Sequence, residues 1–428
     1  MENGGQGEKG GSGNGDFSLS LARELVELMR EESDLSYGQC QNCVEAVVAR
    51  ISRSMPYPGL AALLEKLNQD ILDVPSCSDT QKLVSTLEKL SAFKNQWEQR
   101  SWSLYEDEQP ILLALADLSS LLNLADKRVC LAALAMDDYR TLCDLVTFFQ
   151  METRITIRTS LLRALKLTCL LDVKLVSILL PTPLPLELAR VVKQHNNNSP
   201  CTSGSSQSAE HFRLCLELLC LLFATAESLS YTHYDVLNLE FVQSLLRFVE
   251  AEKASDVCIT RALKTLIAFN LHFKAPTTDS NMLVQALGSQ ECSKNFSEQL
   301  LLICNKEESE TVWCYDGVEP PYPSATVKLL QDIFSCKRTA QKLFYSNDAA
   351  VLVDIVLREI MDLNPGKLRT EYLSLAQLIL AESNIMETRI GDVKECLKQL
   401  EQRGDAEALS EEDALILREI HKQLANRV

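Results

Sequence analysis

A chain of 428 residues with 46% hydrophobic and 24% charged side chains has the balance of a folded protein, and room for an elongated helical array. Its net charge of −17 argues against general duplex binding, which needs a basic surface to neutralise phosphates, so no nucleic-acid partner is expected. No apolar stretch reads as a membrane span, since the best of them, Leu214–Ala224, is short and interrupted by Glu217.

Residues 1–16 hold seven glycines and almost nothing to bury, which predicts a disordered Gly-rich leader. Helical periodicity starts near Phe17. Leu21, Leu25 and Leu28 are expected to share the core-facing side, with Glu24, Glu27 and Glu31 toward water. A second helix is predicted over 37–54. Prolines at 56 and 58 then force a break before a helix at 60–72. Ser78 or Asp79 caps a helix over 79–98 that aligns Leu83, Leu87 and Leu90.

Helices follow in close order at 109–124, 126–136, 138–150, 153–171, 172–180 and 184–194. Pro181, Pro183 and Pro185 make a rigid turn whose last proline can open a helix. The polar insert at about 195–210 reads as an exposed, mobile loop. Further helices are predicted at 209–228, 238–252, 255–273, 279–287 and 290–304. A wetter interval, NKEESETVWCYDGVEPPYPSA, separates them from helices near 324–336, 337–345, 347–362, 366–382, 389–403 and 410–425.

Short connectors imply antiparallel neighbours, and the spacing repeats coarsely near 40 residues without a strict motif. Residues 17–426 therefore read as one armadillo-like helical domain. The expected fold is all-α, an irregular armadillo/HEAT-like right-handed helical solenoid.

Fifteen cysteines are scattered through the chain, and those such as Cys169, Cys215, Cys220 and Cys304 sit inside leucine-rich helices as small hydrophobes. An odd number and no signal peptide point to a reduced, cytoplasmic protein. Cys40 and Cys43 form a lone CxxC with no second pair and no nearby histidine, so helix packing is the better reading than zinc or redox chemistry.

The signs of catalysis are missing. The early glycines follow no strand and end in no GK[ST], and there is no HExxH, GxSxG or kinase set. Acidic runs at Glu106–Glu108 and Glu411–Asp413 lie where helices begin and complement their dipoles. No enzyme activity, metal or cofactor is expected.

Three stretches stand out as contact surfaces, each with an ordinary structural reading beside it. Trp102 and Tyr105 lie three apart in QRSWSLYEDE, as binding anchors or as a lock between helices. Arg154, Arg158, Arg163 and Lys166 make a basic stretch in an acidic chain, able to meet a partner's carboxylates or to serve as ordinary solvated charges. Arg358, Lys367 and Arg369 flank the Asn364–Pro365–Gly366 turn at an edge of the stack.

Eight segments then carry a family resemblance: QRSWSLYEDE at 99–108, FFQMETRITIR at 148–158, PLPLELAR at 183–190, YTHYDVL at 231–237, AFNLHF at 268–273, FSEQLLLICN at 296–305, SATVKLLQDIF at 324–334 and LRTEYLSL at 368–375. In this order they resemble the C-terminal armadillo-like region of the WISH/DIP family over roughly residues 18–425. The resemblance implies an activator of the seven-subunit actin-related-protein complex that works without a preformed mother filament. It would grip the long helix of the fourth accessory subunit, favour the filament-like arrangement of the actin-related subunits and seed linear filaments, touching actin only indirectly. Cortical or endocytic actin sites follow as the expected location, and a homodimer is compatible with it. The mammalian member's Src-homology-3 domain and proline-rich region have no counterpart in these residues, and the 195–210 insert is longer and more polar than the family pattern. A generic armadillo adaptor for another cytoskeletal or signalling protein is the alternative. The tryptophan–asparagine ladder of import-type grooves is missing, with only Trp97, Trp102 and Trp313 at no repeat spacing.

Overall fold

The computed structural model describes residues 13–100, 105–197, 206–251, 256–274, 281–289, 294–306, 312–381, 389–404 and 410–425. Among them are 21 α-helices, two 3₁₀ helices and no strand. The chain clusters into two compact units, Met1–Leu171 and Asp172–Val428.

The first unit opens with a three-helix group, α1 (Gly13–Glu31), α2 (Tyr37–Ser54) and α3 (Pro58–Leu67). It has its own core of Ala22, Val26, Tyr37, Cys40, Val44, Leu63 and Leu67. The ends are defined chemically. Ser36 and Gln39 form a reciprocal capping box at α2, and Pro58 occupies the first turn of α3, where a missing N–H costs nothing. The Asn68 side-chain amide donates to the Leu64 carbonyl, and α3 stops at Leu67 rather than running on to residue 72. Helix α4 (Ser78–Arg100) packs on α5 (Glu108–Leu124), α6 (Lys127–Ala135) and α7 (Arg140–Met151), and α5 lies along α8 (Ile155–Leu171). Leu83, Leu87 and Leu90 are buried on one side of α4, as the spacing predicts.

Helix α1 departs from expectation. It begins at Gly13, inside the expected leader, whose residues 1–12 lie outside the described part. Its core face is Ser18, Ala22, Val26 and Arg30, while Leu28 is 55% exposed and Leu21 and Leu25 are only half-buried. The helix is rotated because Arg30 reaches inward to a buried carboxylate, Nε to Oδ2 of Asp79 at 3.0 Å. A paired ion therefore holds a position that hydrophobic spacing assigns to leucine. Glu27, expected in water, accepts a 2.6 Å hydrogen bond from the Ser78 hydroxyl.

The second unit comprises α9 (Val173–Leu179), α10 (Leu184–Asn197), α11 (Ser206–Ala224), α12 (Leu239–Val249), α13 (Asp256–Asn270), α14 (Met282–Ser289) and α15 (Lys294–Asn305). After them come α16 (Ala325–Phe334), α17 (Lys337–Leu343), α18 (Ser346–Asp362), α19 (Lys367–Ala381), α20 (Ile390–Gly404) and α21 (Glu411–Ala425). Within each unit a helix touches neighbours one to three positions away, such as α11 with α10 and α13, or α16 with α13, α17 and α19. That layering of near neighbours is the irregular armadillo/HEAT-like pattern. Pro185 sits in the first turn of α10, as expected.

Helix α10 continues to Asn197 and α11 starts at Ser206, so both helices reach into the stretch expected to be a loop, and residues 198–205 lie outside the described part. Helix α11 ends at Ala224, four residues before the predicted end. Ala226 has φ +54° there, and a 3₁₀ helix at Tyr231–Asp235 leads on to α12. No single helix among the described residues is long and apolar enough to cross a membrane.

Candidate functional site

The basic stretch around Arg154 is built into the α7–α8 turn. Glu152 is buried, and its Oε1 accepts the Thr153 and Arg154 backbone N–H groups at 2.8 Å in the turn ahead of α8. The same carboxylate takes Arg154 Nε at 3.0 Å and Nη2 at 2.7 Å. Arg158 turns the other way. Its Nη1 donates to the carbonyls of Phe149 (2.7 Å) and Glu152 (2.9 Å) at the end of α7, and its guanidinium lies 4.1 Å from the Phe149 ring centroid. One turn therefore consumes both guanidiniums. Arg163 is exposed and Lys166 half-buried further along α8. Trp102 lies outside the described residues. Tyr105 starts the 3₁₀ turn before α5, which fixes its place in the chain.

The Arg358–Lys367–Arg369 group does not form one patch either. Arg358 is exposed on α18 and bonds Asn305 of α15 and the adjacent Glu359. Lys367 projects into solvent and pairs with Glu319 at 2.6 Å. Arg369 is 4% exposed and points into the layer between α19 and α21, onto Asp413.

Sequence reasoning passed over a different feature, the interval between α15 and α16. Its described part, residues 312–324, forms a strap braced by Trp313, whose Nε1 donates to the carbonyls of Val318 (2.9 Å) and Tyr315 (3.2 Å). The Tyr315 ring stands edge-on to the indole at 5.0 Å, and Gly317 takes φ +73° to turn the chain. The strap borders a cleft of ≈ 270 Å³. Ala224, Leu271 and Ile303, from the ends of α11, α13 and α15, contribute apolar surface, and Leu368 of α19 adds more. Trp313, Pro320 and Tyr322 supply the strap's side. A tryptophan and three prolines within eleven residues were the available signal; polar neighbours masked it.

A buried polar cluster holds the cleft's borders together. The Lys328 ammonium, on α16, donates to the carbonyls of Asn270 (2.8 Å) and Phe273 (2.6 Å), which flank Leu271, and to Asp332 Oδ2 (2.5 Å). It lies 5.9 Å from the Tyr322 ring centroid. Asp332 Oδ2 also accepts the side-chain amides of Asn270 (2.8 Å) and Asn281 (3.1 Å), and Asn281 caps α14. Burial pushes the Lys328 ammonium down and the Asp332 carboxyl up, while their mutual attraction opposes both shifts. All three Lys328 protons have protein acceptors, so this lysine acts as a cross-tie.

No group of three or more His, Cys, Asp or Glu among the described residues is placed to hold a metal ion. Buried thiols at Cys77 and Cys130 are pushed up to about 12 by desolvation, which suppresses the nucleophilic thiolate.

Compared with known families, residues 255–393 match the family described as SPIN90/Ldb17, leucine-rich domain. The match covers about a third of the chain, from the start of α13 to the first turn of α20. It includes the strap, most of the cleft and the Arg358–Lys367–Arg369 group. Arg154, Arg158, Arg163 and Lys166 lie outside it.

Proposed function

We propose that this chain is a protein-binding scaffold of the SPIN90/Ldb17 leucine-rich kind, acting on the actin cytoskeleton. In this reading it binds the seven-subunit actin-related-protein complex and activates it without a preformed mother filament. The product is a linear filament able to seed a branched network. The observation that carries the reading is the family match over 255–393, in the region that also holds four of the segments resembling the WISH/DIP family.

The physics asked of the chain is a population shift. A rigid surface that binds the filament-like arrangement of the two actin-related subunits more tightly than the resting one moves the equilibrium by that difference in affinity, and by nothing else. Moving a two-state balance from 1:99 to 99:1 takes about 5.5 kcal/mol of differential binding. A stiff helical stack suits this task, because a surface that deformed to fit both arrangements would discriminate between neither. The chain performs no reaction in this scheme; nucleotide hydrolysis belongs to the complex and to actin. Cortical or endocytic actin sites are the proposed location.

The test is pyrene–actin assembly with the purified complex and this protein, with no other activator and no preformed filaments, and imaging of the products. The reading expects a shortened lag and unbranched filaments. Acceleration only when mother filaments are supplied, or none at all, would leave the alternative of an adaptor for another cytoskeletal or signalling protein.

A further inference from the structure

The cleft bordered by Trp313 and Tyr322 has an apolar lining with few polar groups to offer. Trp313 Nε1 is spent on two strap carbonyls, so the indole N–H that aromatic grooves use to grip a polyproline backbone is already occupied. Ser324 Oγ accepts the Val327 N–H as a helix cap. A ligand there is recognised by burial of apolar surface and by shape. A volume of ≈ 270 Å³ suits one or two large side chains.

The surrounding charges select the flanks of that ligand. Most cations on the bordering elements are already committed, with Lys274, three residues past Leu271, exposed. Lys328 is held by Asp332 and two carbonyls, Lys367 by Glu319, and Arg369 by Asp413. Lys306, three residues past Ile303, is also engaged. By contrast, Asp316 in the strap is an exposed carboxylate, and Glu227, three residues past Ala224, is exposed with the Ser177 hydroxyl as its donor. The protein as a whole carries −17. We infer that this cleft receives an apolar side chain, aromatic or leucine-like, presented by a protein segment with basic residues on either side. This extends the reading of the chain as a protein-binding scaffold by assigning a site and the chemistry of its occupant.

The two requirements reinforce each other physically. Inserting the apolar residue removes water from the strap, which strengthens the attraction of flanking ammonium groups for Asp316. Because Lys328 ties α16 to the end of α13, the cleft is shaped before the ligand arrives, which lowers the ordering cost of binding.

The probe is a fluorescein-labelled, end-blocked heptapeptide, Lys-Lys-Ala-Phe-Ala-Lys-Lys, titrated by anisotropy. Its counterparts have phenylalanine replaced by alanine, or glutamate in place of every lysine. The full chain should bind the first peptide at least about tenfold more tightly than either counterpart, with affinity falling as salt rises. Ala325→Phe, which fills the cleft from the start of α16, and Asp316→Lys, on the exposed strap, should each weaken it about fivefold or more with helicity unchanged. Equal binding of the phenylalanine and alanine peptides would reduce the effect to bulk charge and overturn the inference. So would equal binding of the glutamate peptide, indifference to Ala325→Phe, or no binding at millimolar peptide. Since the assay holds no actin and no actin-related subunit, its failure leaves the nucleation reading standing, and a flat pyrene trace leaves this one standing.

Discussion

Nη2 of Arg369 donates to Oδ2 of Asp413 at 2.9 Å, joining α19 to α21 through a pair whose side chains are 5% and 0% exposed. Asp413 also accepts the Thr370 hydroxyl at 2.5 Å, and its backbone N–H donates to Ser410 Oγ. Lys367, two residues before Arg369, points the opposite way into solvent. Removing one member of the buried pair leaves an uncompensated charge in the core. Arg369→Met should therefore destabilise the second unit by about 3–5 kcal/mol in urea denaturation followed by helicity. The double replacement Arg369→Met with Asp413→Leu should recover much of that loss, and Lys367→Ala should leave the midpoint where it was.

The α7–α8 turn separates stability from binding among the basic residues of the first unit. Arg158→Ala strips the Phe149 and Glu152 carbonyls, in and just after the last turn of α7, of a donor and should cost about 1–3 kcal/mol by thermal or urea denaturation. Arg154→Glu would face the buried Glu152 and should also destabilise. For charge reversal at Arg163 and Lys166, a loss of complex binding at an unfolding midpoint equal to the parent's would report an interface. Unaltered binding would remove this helix from the contact surface.

Gly317 turns the strap at φ +73°, and a Cβ there would meet no neighbour within 4 Å, so Gly317→Ala carries a purely conformational cost. That cost is about 1 kcal/mol and falls locally on residues 312–324. Hydrogen exchange should rise across the strap by about fivefold while α13 and α19 stay protected. Uniform exchange in both proteins would show that the bracing by Trp313 does not depend on this turn.

His272 supplies a pH dependence with a definite sign. Burial among Phe223 and Phe269 lowers its pKa to about 4 from the usual 6.5. Between those values the unfolded chain binds a proton that the folded chain refuses, so stability is complete above pH 6.5 and is lost as pH falls toward 4. The shift corresponds to at most about 3 kcal/mol, and burial moves His195 and His233 in the same direction. Urea midpoints measured from pH 7 to 4 should fall less steeply in His272→Leu than in the parent chain. Parallel curves would assign the acid sensitivity to other groups.

Much of the helical layout was legible because it rests on local chemistry. Leu83, Leu87 and Leu90 recur at helical spacing on α4, and Pro185 sits in the first turn of α10, where its ring can be accommodated. Face assignment failed on α1, where leucine periodicity pointed to Leu28 and the core instead took Arg30, because Asp79 stands 49 residues away. The candidate site was harder still. Glu152, two residues before Arg154, was a readable sign that this guanidinium would have a local acceptor. Nothing near Arg369 in sequence announces Asp413. The strap read as a wet spacer because acidic residues run ahead of it, at Glu307, Glu308 and Glu310, and Asp316 and Glu319 interrupt its apolar groups.

By itself the sequence determined an all-helical chain and the approximate place of nearly every helix. These follow from interactions within one turn or one connector, where spacing alone decides which groups can meet. Only the tertiary structure decided which charges are surface and which are structure, and that the interval between α15 and α16 borders a cleft. Those outcomes depend on partners 40 to 60 residues apart, such as Arg369 with Asp413 and Lys328 with the Asn270 carbonyl. A lysine or arginine keeps its charge in either setting. Whether it faces water or the core depends on whether a distant acceptor offsets its desolvation, and that acceptor is supplied by the packing of the helices.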